Sequence, residues 1–191
     1  MVDRTDIDAA VAALKRGGVI LYPTDTVWGI GCDATNADAV ARVYALKRRA
    51  DSKALICLLG SADDLERWVS GVPEVAYQLL EAAVDPLTVI YDGAYVPPLA
   101  ANLPAADGSL AVRVTADPFC RELCRRLRKP LVSTSANISG APTAASFAEI
   151  ADELKKGVDY VCTSGRTPGE PRKPSTILRL TESGEVKIIR P

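Results

Sequence analysis

Apolar positions recur along this chain with two periods, one helical and one extended, in alternating blocks. Ile7, Ala10, Val11 and Leu14 share one helical face, and Gly17-Gly18 ends that helix. Val19 to Tyr22 is an unbroken apolar run that predicts a buried strand stopping at Pro23, followed by the loop Thr24-Asp25-Thr26 and a flexible Gly29-Ile30-Gly31. Asn36 is placed to cap a helix carrying Val40, Val43, Tyr44 and Lys47. Ala54 to Leu59 predicts a second strand, with two short helices after it, near Asp63 to Val69 and Pro73 to Ala83. Leu87 to Tyr91 and Leu110 to Val114 are the third and fourth strands, separated by a loop rich in Pro, Ala and Asp. A helix bearing Phe119, Leu123 and Leu127 turns Arg121, Arg125 and Arg128 to solvent, and Leu131 to Ser133 is a fifth strand. Ser146 and Glu149 suit a capping box for a helix through Leu154. Asp159 to Cys162, Thr176 to Leu180 and Val186 to Ile189 complete the strands, the last two joined by a turn at Glu182-Ser183-Gly184. This alternation without a break in composition predicts one α/β domain over residues 1–191.

Composition narrows the partners more than the fold. The 191 residues are 48% hydrophobic and 25% charged, the balance of a soluble globular protein, and one core suffices for that length. A net charge of −1 supplies no global field toward nucleic acid or anionic membrane. No apolar run approaches the roughly 20 residues of a membrane helix. The polar start Met1-Val-Asp-Arg-Thr-Asp lacks a secretory core, so a cytoplasmic location is expected. The five cysteines (Cys32, Cys57, Cys120, Cys124 and Cys162) form no Cys-x-x-Cys pair and read as buried thiols. There is no histidine, which excludes Ser-His and Cys-His triads and imidazole zinc sites. Chemistry must rest on Lys, Arg, carboxylates, hydroxyls and backbone groups.

Those groups gather at predicted strand ends, where open α/β sheets bind ligands. Thr24, Asp25 and Thr26 follow the first strand, and Lys47, Arg48, Arg49 and Lys53 precede the second. Ser133, Thr134, Ser135 and Asn137 follow the fifth, Ser175 and Thr176 open the late hairpin, and Arg190 closes it. Small polar groups beside a cation cluster suit an anion, a polyphosphate above all. Arg113 stands inside the apolar strand Leu110-Ala-Val-Arg-Val, where an unpaired guanidinium is costly. Either a ligand carboxylate or an internal Asp or Glu would pair it. Gly165 to Pro174, with Arg166, Arg172 and Lys173, reads as a functional loop.

Taken together, five segments resemble the YrdC-type threonylcarbamoyl-AMP synthases in order and spacing. They are Pro23-Thr-Asp-Thr-Val-Trp-Gly-Ile-Gly31; Lys47-Arg-Arg49 with Lys53; Asp85-Pro-Leu-Thr88; Leu110-Ala-Val-Arg-Val114; and Ser133-Thr-Ser-Ala-Asn-Ile-Ser-Gly140. Ser175-Thr-Ile177 and Ile189-Arg-Pro191 extend the match to the last residue. Ala50, Val84-Asp85 and Trp28 depart from the family pattern of Pro, Pro-Gly and Tyr. The resemblance implies a twisted mixed sheet with flanking helices and a concave basic cavity. It also implies synthesis of threonylcarbamoyl-adenylate and pyrophosphate from L-threonine, bicarbonate and ATP, for the t6A modification of tRNA. The expected form is the short one, the catalytic domain alone. Carried over by motif, Thr26, Arg113, Ser133 and Ser175 would hold threonine. Arg49, Lys53, Ser109, Ser135, Asn137, Thr143 and Arg190 would hold ATP, with Lys47, Arg49 and Lys53 acting electrostatically. Mg²⁺ is expected on the triphosphate, with no metal held by protein ligands, and the product would pass to a tRNA threonylcarbamoyl-transferase complex. An RNA-binding module and a carbamoyl-transfer domain of the hydrogenase-maturation type are the competing readings.

Overall fold

The computed structural model describes residues 3–48, 55–167 and 174–191. Helix α1 (Arg4–Lys15) starts where the Asp3 carboxylate accepts the amides of Thr5 and Asp6, and it closes before Gly17, whose φ of +79° suits a residue without Cβ. Strands β1 (Ile20–Tyr22) and β2 (Gly29–Gly31) lead into α2 (Ala37–Leu46), capped by Asn36 through the Ala39 amide as its sequence predicts. Then come β3 (Ile56–Leu59), α3 (Leu65–Trp68), α4 (Glu74–Ala82), β4 (Leu87–Tyr91) and β5 (Leu110–Val114). Helix α5 (Pro118–Leu127) has Asp117 as its cap and proline in its first turn, where a missing N–H costs nothing. The chain ends with β6 (Leu131–Ser135), α6 (Asp152–Gly157), β7 (Tyr160–Val161), β8 (Thr176–Leu180) and β9 (Val186–Arg190).

Among the described residues the strands form one nine-stranded mixed sheet, ordered β7-β1-β2-β6-β3-β5-β4-β8-β9. Pairs β1/β7, β3/β5 and β4/β8 are parallel and the others antiparallel. Side chains alternate between the two faces, and that alternation makes the cavity. On one face Leu21, Cys57, Leu59, Val89, Val112, Val132 and Leu178 enter the larger core with Val40 and Val43 of α2 and Ala76 of α4. On the other, Ile20, Tyr22, Leu58 and Leu131 pack against Ile7 and Leu14 of α1 and Phe119 and Leu123 of α5. The next positions on that second face are Ile56, Ala111, Arg113, Ser133 and Thr88, and these line a cavity instead.

Three local expectations change. Gly29-Ile30-Gly31 is no flexible connector but a central strand, bonded to β1 on one side and β6 on the other. The reason is space: a Cβ on Gly31 would collide with the Val132 carbonyl oxygen and lie 2.9 Å from Tyr22 Cε1. Hydropathy does not register a residue selected for having no side chain. Secondly, Ser146 and Glu149 do not start a helix that runs through Leu154. The Ser146 hydroxyl donates to Glu149 (2.9 Å), but Phe147–Glu149 is a single 3₁₀ turn. Buried Ile150 then takes an extended backbone before α6 begins. Thirdly, β6 continues to Ser135, two residues beyond the predicted end, because β2 offers it a partner.

All five cysteines are buried and free, and burial pushes the Cys124 thiol up to about 12, so these are packing residues. Arg121, Arg125 and Arg128 face solvent, Arg125 pairing with Glu122. Asp6, almost fully buried on α1, accepts the Tyr160 hydroxyl (2.7 Å) and the amides of Thr163 and Ser164 (2.9 and 2.7 Å). Burial opposes its charge, yet bonds from Ser164, Thr163 and Tyr160 hold the carboxyl below its ordinary range. Helix α1 thereby anchors the segment after β7. Among the described residues no helix is long and apolar enough to cross a membrane.

Candidate active site

The cavity encloses about 360 Å³ above the uncovered part of the sheet. Its floor combines apolar Ile56, Ile90, Ala111 and Ile177 with the hydroxyls of Thr88, Ser133 and Ser135; Thr26, Val27, Thr143, Ser175 and Arg190 form its sides. The described lining contains two cations, Arg113 and Arg190, and no carboxylate. Such a surface favours anions.

Arg113 is only 3% exposed. Its Nη1 donates to Thr26 Oγ1 (3.1 Å), and its Nη2 lies 3.6 Å from Asp25 Oδ1. Both partners belong to the loop after β1, so an internal carboxylate is present, but at long range. Arg113 Nε and Asp25 Oδ1 are buried without a hydrogen-bond partner. A guanidinium so placed keeps donor capacity for a second carboxylate. The loop is braced from within. Thr24 Oγ1 contacts Thr26 Oγ1 (2.9 Å), accepts the Thr26 amide (2.9 Å) and donates to the Val27 carbonyl (2.7 Å).

Across the cavity, Ser175 Oγ lies 2.8 Å from Thr88 Oγ1, and Arg190 Nε and Nη2 donate to the Ser175 carbonyl (3.1 and 2.7 Å). Thr88 is fully buried yet lines the cavity, and reading the sequence for strand-end residues misses it. Its signal is a hydroxyl at an alternate position of Leu87-Thr-Val-Ile-Tyr91, but which face that position takes depends on the register with β5 and β8.

The structure brings seven of the expected site residues to the cavity: Thr26, Arg113, Ser133, Ser135, Thr143, Ser175 and Arg190. Ser109 and Asn137 lie outside its lining. The Ser109 hydroxyl donates to Asp107 (2.6 Å), whose carboxyl is held at about 2 by the Ser109 hydroxyl and amide and by Arg179. The Asn137 amide nitrogen donates to the carbonyls of Ile138 and Ala141 (3.1 and 2.8 Å), shaping the turn after β6. Lys47, expected to act electrostatically with Arg49 and Lys53, is 2% exposed and donates to the carbonyls of Ser135 and Asn137. Arg49 and Lys53, and Arg172 and Lys173 of the late loop, lie outside the described residues. Among the described residues, no group of three or more Cys, Asp or Glu is gathered as a metal site.

Residues 12–191 match the Sua5/YciO/YrdC family model, described as telomere recombination. The chain belongs to this family. Family members similar to it include the threonylcarbamoyl-AMP synthase of Chromohalobacter salexigens, 42% identical over 178 residues and 92% of each chain. That of Xanthomonas campestris is 40% identical, with 82% of this chain and 84% of the other covered. Among solved structures, E. coli YciO superposes with a TM-score of 0.85 at 26% identity, over all of this chain and 90% of YciO. Sua5 of P. abyssi in complex with L-threonine gives 0.83 at 25% identity, over 94% of this chain and 52% of that one. The nine-stranded mixed sheet is therefore the family fold.

Proposed function

We propose that this chain is a threonylcarbamoyl-AMP synthase, condensing L-threonine, bicarbonate and ATP into L-threonylcarbamoyl-adenylate and pyrophosphate, for the t6A modification of tRNA. The observation that carries the reading is Arg113, a buried guanidinium with an unspent donor on the wall of an anion-favouring cavity. The relatives' names and the threonine complex of P. abyssi Sua5 support it. In this assignment Arg113 receives the amino-acid carboxylate, with Thr26, Ser133 and Ser175 around it. Ser135, Thr143 and Arg190 face ATP, taken as its Mg²⁺ complex, together with Arg49 and Lys53. Ser109 and Asn137 serve that side through the turns they brace.

The chemistry needs no protein nucleophile. The threonine nitrogen attacks the bicarbonate carbon and water leaves, giving a carbamate. A carbamate oxygen then attacks the α-phosphorus, and the bond to the β-phosphate oxygen breaks to release pyrophosphate. Three anions meet in these steps. Fixed cations and hydroxyls that hold them in line lower the barrier by position and charge, which suits a chain without histidine. The product then passes to the enzyme complex that transfers the threonylcarbamoyl group to tRNA.

Pyrophosphate release from the purified chain is expected to require both L-threonine and bicarbonate, and release indifferent to threonine would overturn the assignment. A finer test is Thr88→Val, which keeps volume but deletes the partner of the Ser175 hydroxyl. Losing one buried hydrogen bond, worth about 1 kcal/mol, is expected to raise the KM for threonine roughly fivefold and leave that for ATP unchanged. Should the ATP value move instead, Ser175 belongs to the nucleotide side.

A further inference from the structure

Lys47, unlike its exposed neighbour Arg48, has a side chain that leads away from solvent. It caps the C-terminus of α2 and is 2% exposed. Its Nζ donates to Ser135 O and Asn137 O (2.5 and 2.7 Å), and its own carbonyl accepts the Ser139 amide (2.9 Å). The Asn137 amide also donates to Ser135 O (2.9 Å), and the Ala136 amide to Trp28 O (2.8 Å). The turn after β6 is therefore held from two sides: by Trp28, just before β2, at Ala136 and by Lys47 at residues 135, 137 and 139. Immediately after Lys47 the backbone enters the left-handed region at Arg48 (φ +49°), and the Arg48 guanidinium grips both oxygens of Glu153 (2.8 and 3.0 Å). The end of α2 is thus tied both to the turn after β6 and, through Arg48, to α6.

An ammonium this deeply buried is tolerated because carbonyl dipoles replace its water. The same bonds draw the negative ends of two peptide groups onto the cation. We infer that Lys47 is a positioning residue: it ties the hydroxyl-rich turn of β6 to the end of α2, and so fixes Ser135 relative to that helix end instead of touching the nucleotide phosphates itself. The inference refines the nucleotide side of the proposed function, and its first test does not depend on that reading.

The first test is amide hydrogen exchange of the ligand-free chain. In Lys47→Met the amides of Asn137 and Ser139 are expected to exchange about tenfold faster, while those of α1 and α5 keep their rates, since loss of a charge-assisted bond frees the turn locally. Unchanged exchange in the turn, or equal acceleration everywhere, overturns the inference. Lys47→Gln, which retains a donor without the charge, is expected to recover part of the protection, and it carries the test if the methionine variant does not fold. The second test measures binding of AMP, ATP and L-threonine. A displaced Ser135 turn weakens both nucleotides together, by about tenfold in Lys47→Met, and leaves threonine within about twofold. Weakening of ATP alone, with AMP intact, makes Lys47 a direct ligand of the outer phosphates and overturns the inference. If the unsubstituted chain binds neither nucleotide, the functional reading fails while the exchange result still decides the clamp.

Discussion

Arg113→Met is expected to cut kcat/KM for L-threonine on the order of 10²–10³-fold, with the ATP KM little changed. The magnitude follows from where the guanidinium sits. At 3% exposure a bond from it to a ligand carboxylate would be shielded from water, and truncating one member of such a charged pair costs about 2–5 kcal/mol. A surface arginine would cost a fraction of that. The methionine variant also leaves Asp25, at 18% side-chain exposure, without its cation, so part of the loss would be structural. Arg113→Met with Asp25→Asn removes that complication, and its melting temperature is expected to lie above that of Arg113→Met alone. Arg113→Lys keeps the charge but not the planar fork that reaches Thr26 and a carboxylate together, so it restores only part of the threonine affinity. Steady-state pyrophosphate release at varied threonine measures all three. A threonine KM unchanged in Arg113→Met would remove this residue from the site.

The same arginine illustrates what sequence conveys about this molecule. Its place in an apolar strand announces a partner but cannot name one, since Asp25 lies 88 positions earlier and meets it only when the loop after β1 folds beneath the cavity. Strand-end hydroxyls such as Ser133 and Ser175 are readable because one ends an apolar run and the other stands just before one. Asn36 and the buried cysteines are readable because their causes are local. Thr88 and Lys47 are not. The role of Thr88 depends on which sheet face its position occupies, and a lysine beside two arginines looks solvated until the turn after β6 arrives to receive it. The pairing of β2 with β6 is equally hidden, because it joins segments about a hundred residues apart and one of them is mostly glycine.

That glycine strand carries the largest expected loss of stability. Gly31→Ala is expected to leave the chain largely unfolded or insoluble. The new Cβ would collide with the Val132 carbonyl oxygen and press on Tyr22 Cε1 at 2.9 Å. Neither neighbour yields cheaply. Val132 belongs to β6, a strand paired on both sides, and Tyr22 is fully buried with its ring across the cavity face of β2. Overpacking a tight core costs about 1–3 kcal/mol even where side chains can shift. Here a backbone must shift as well, breaking ladder bonds on both sides, against a total stability of about 5–15 kcal/mol. Gly29→Ala meets only side-chain atoms, Tyr22 Cζ at 3.0 Å and Thr24 Cγ2 at 3.3 Å, and is expected to fold with a lowered midpoint. Gly108→Ala is the control for backbone strain alone: it has open space but a φ of +78°, which costs about 1 kcal/mol in a residue with Cβ. Urea denaturation should therefore rank the variants Gly108→Ala, Gly29→Ala and Gly31→Ala from most to least stable. A Gly31→Ala protein with the midpoint of the unsubstituted chain would mean that β2 and β6 are not packed this closely. The narrow seam that sets Ser133 and Ser135 beside the loop of Thr26 would then have to be redrawn.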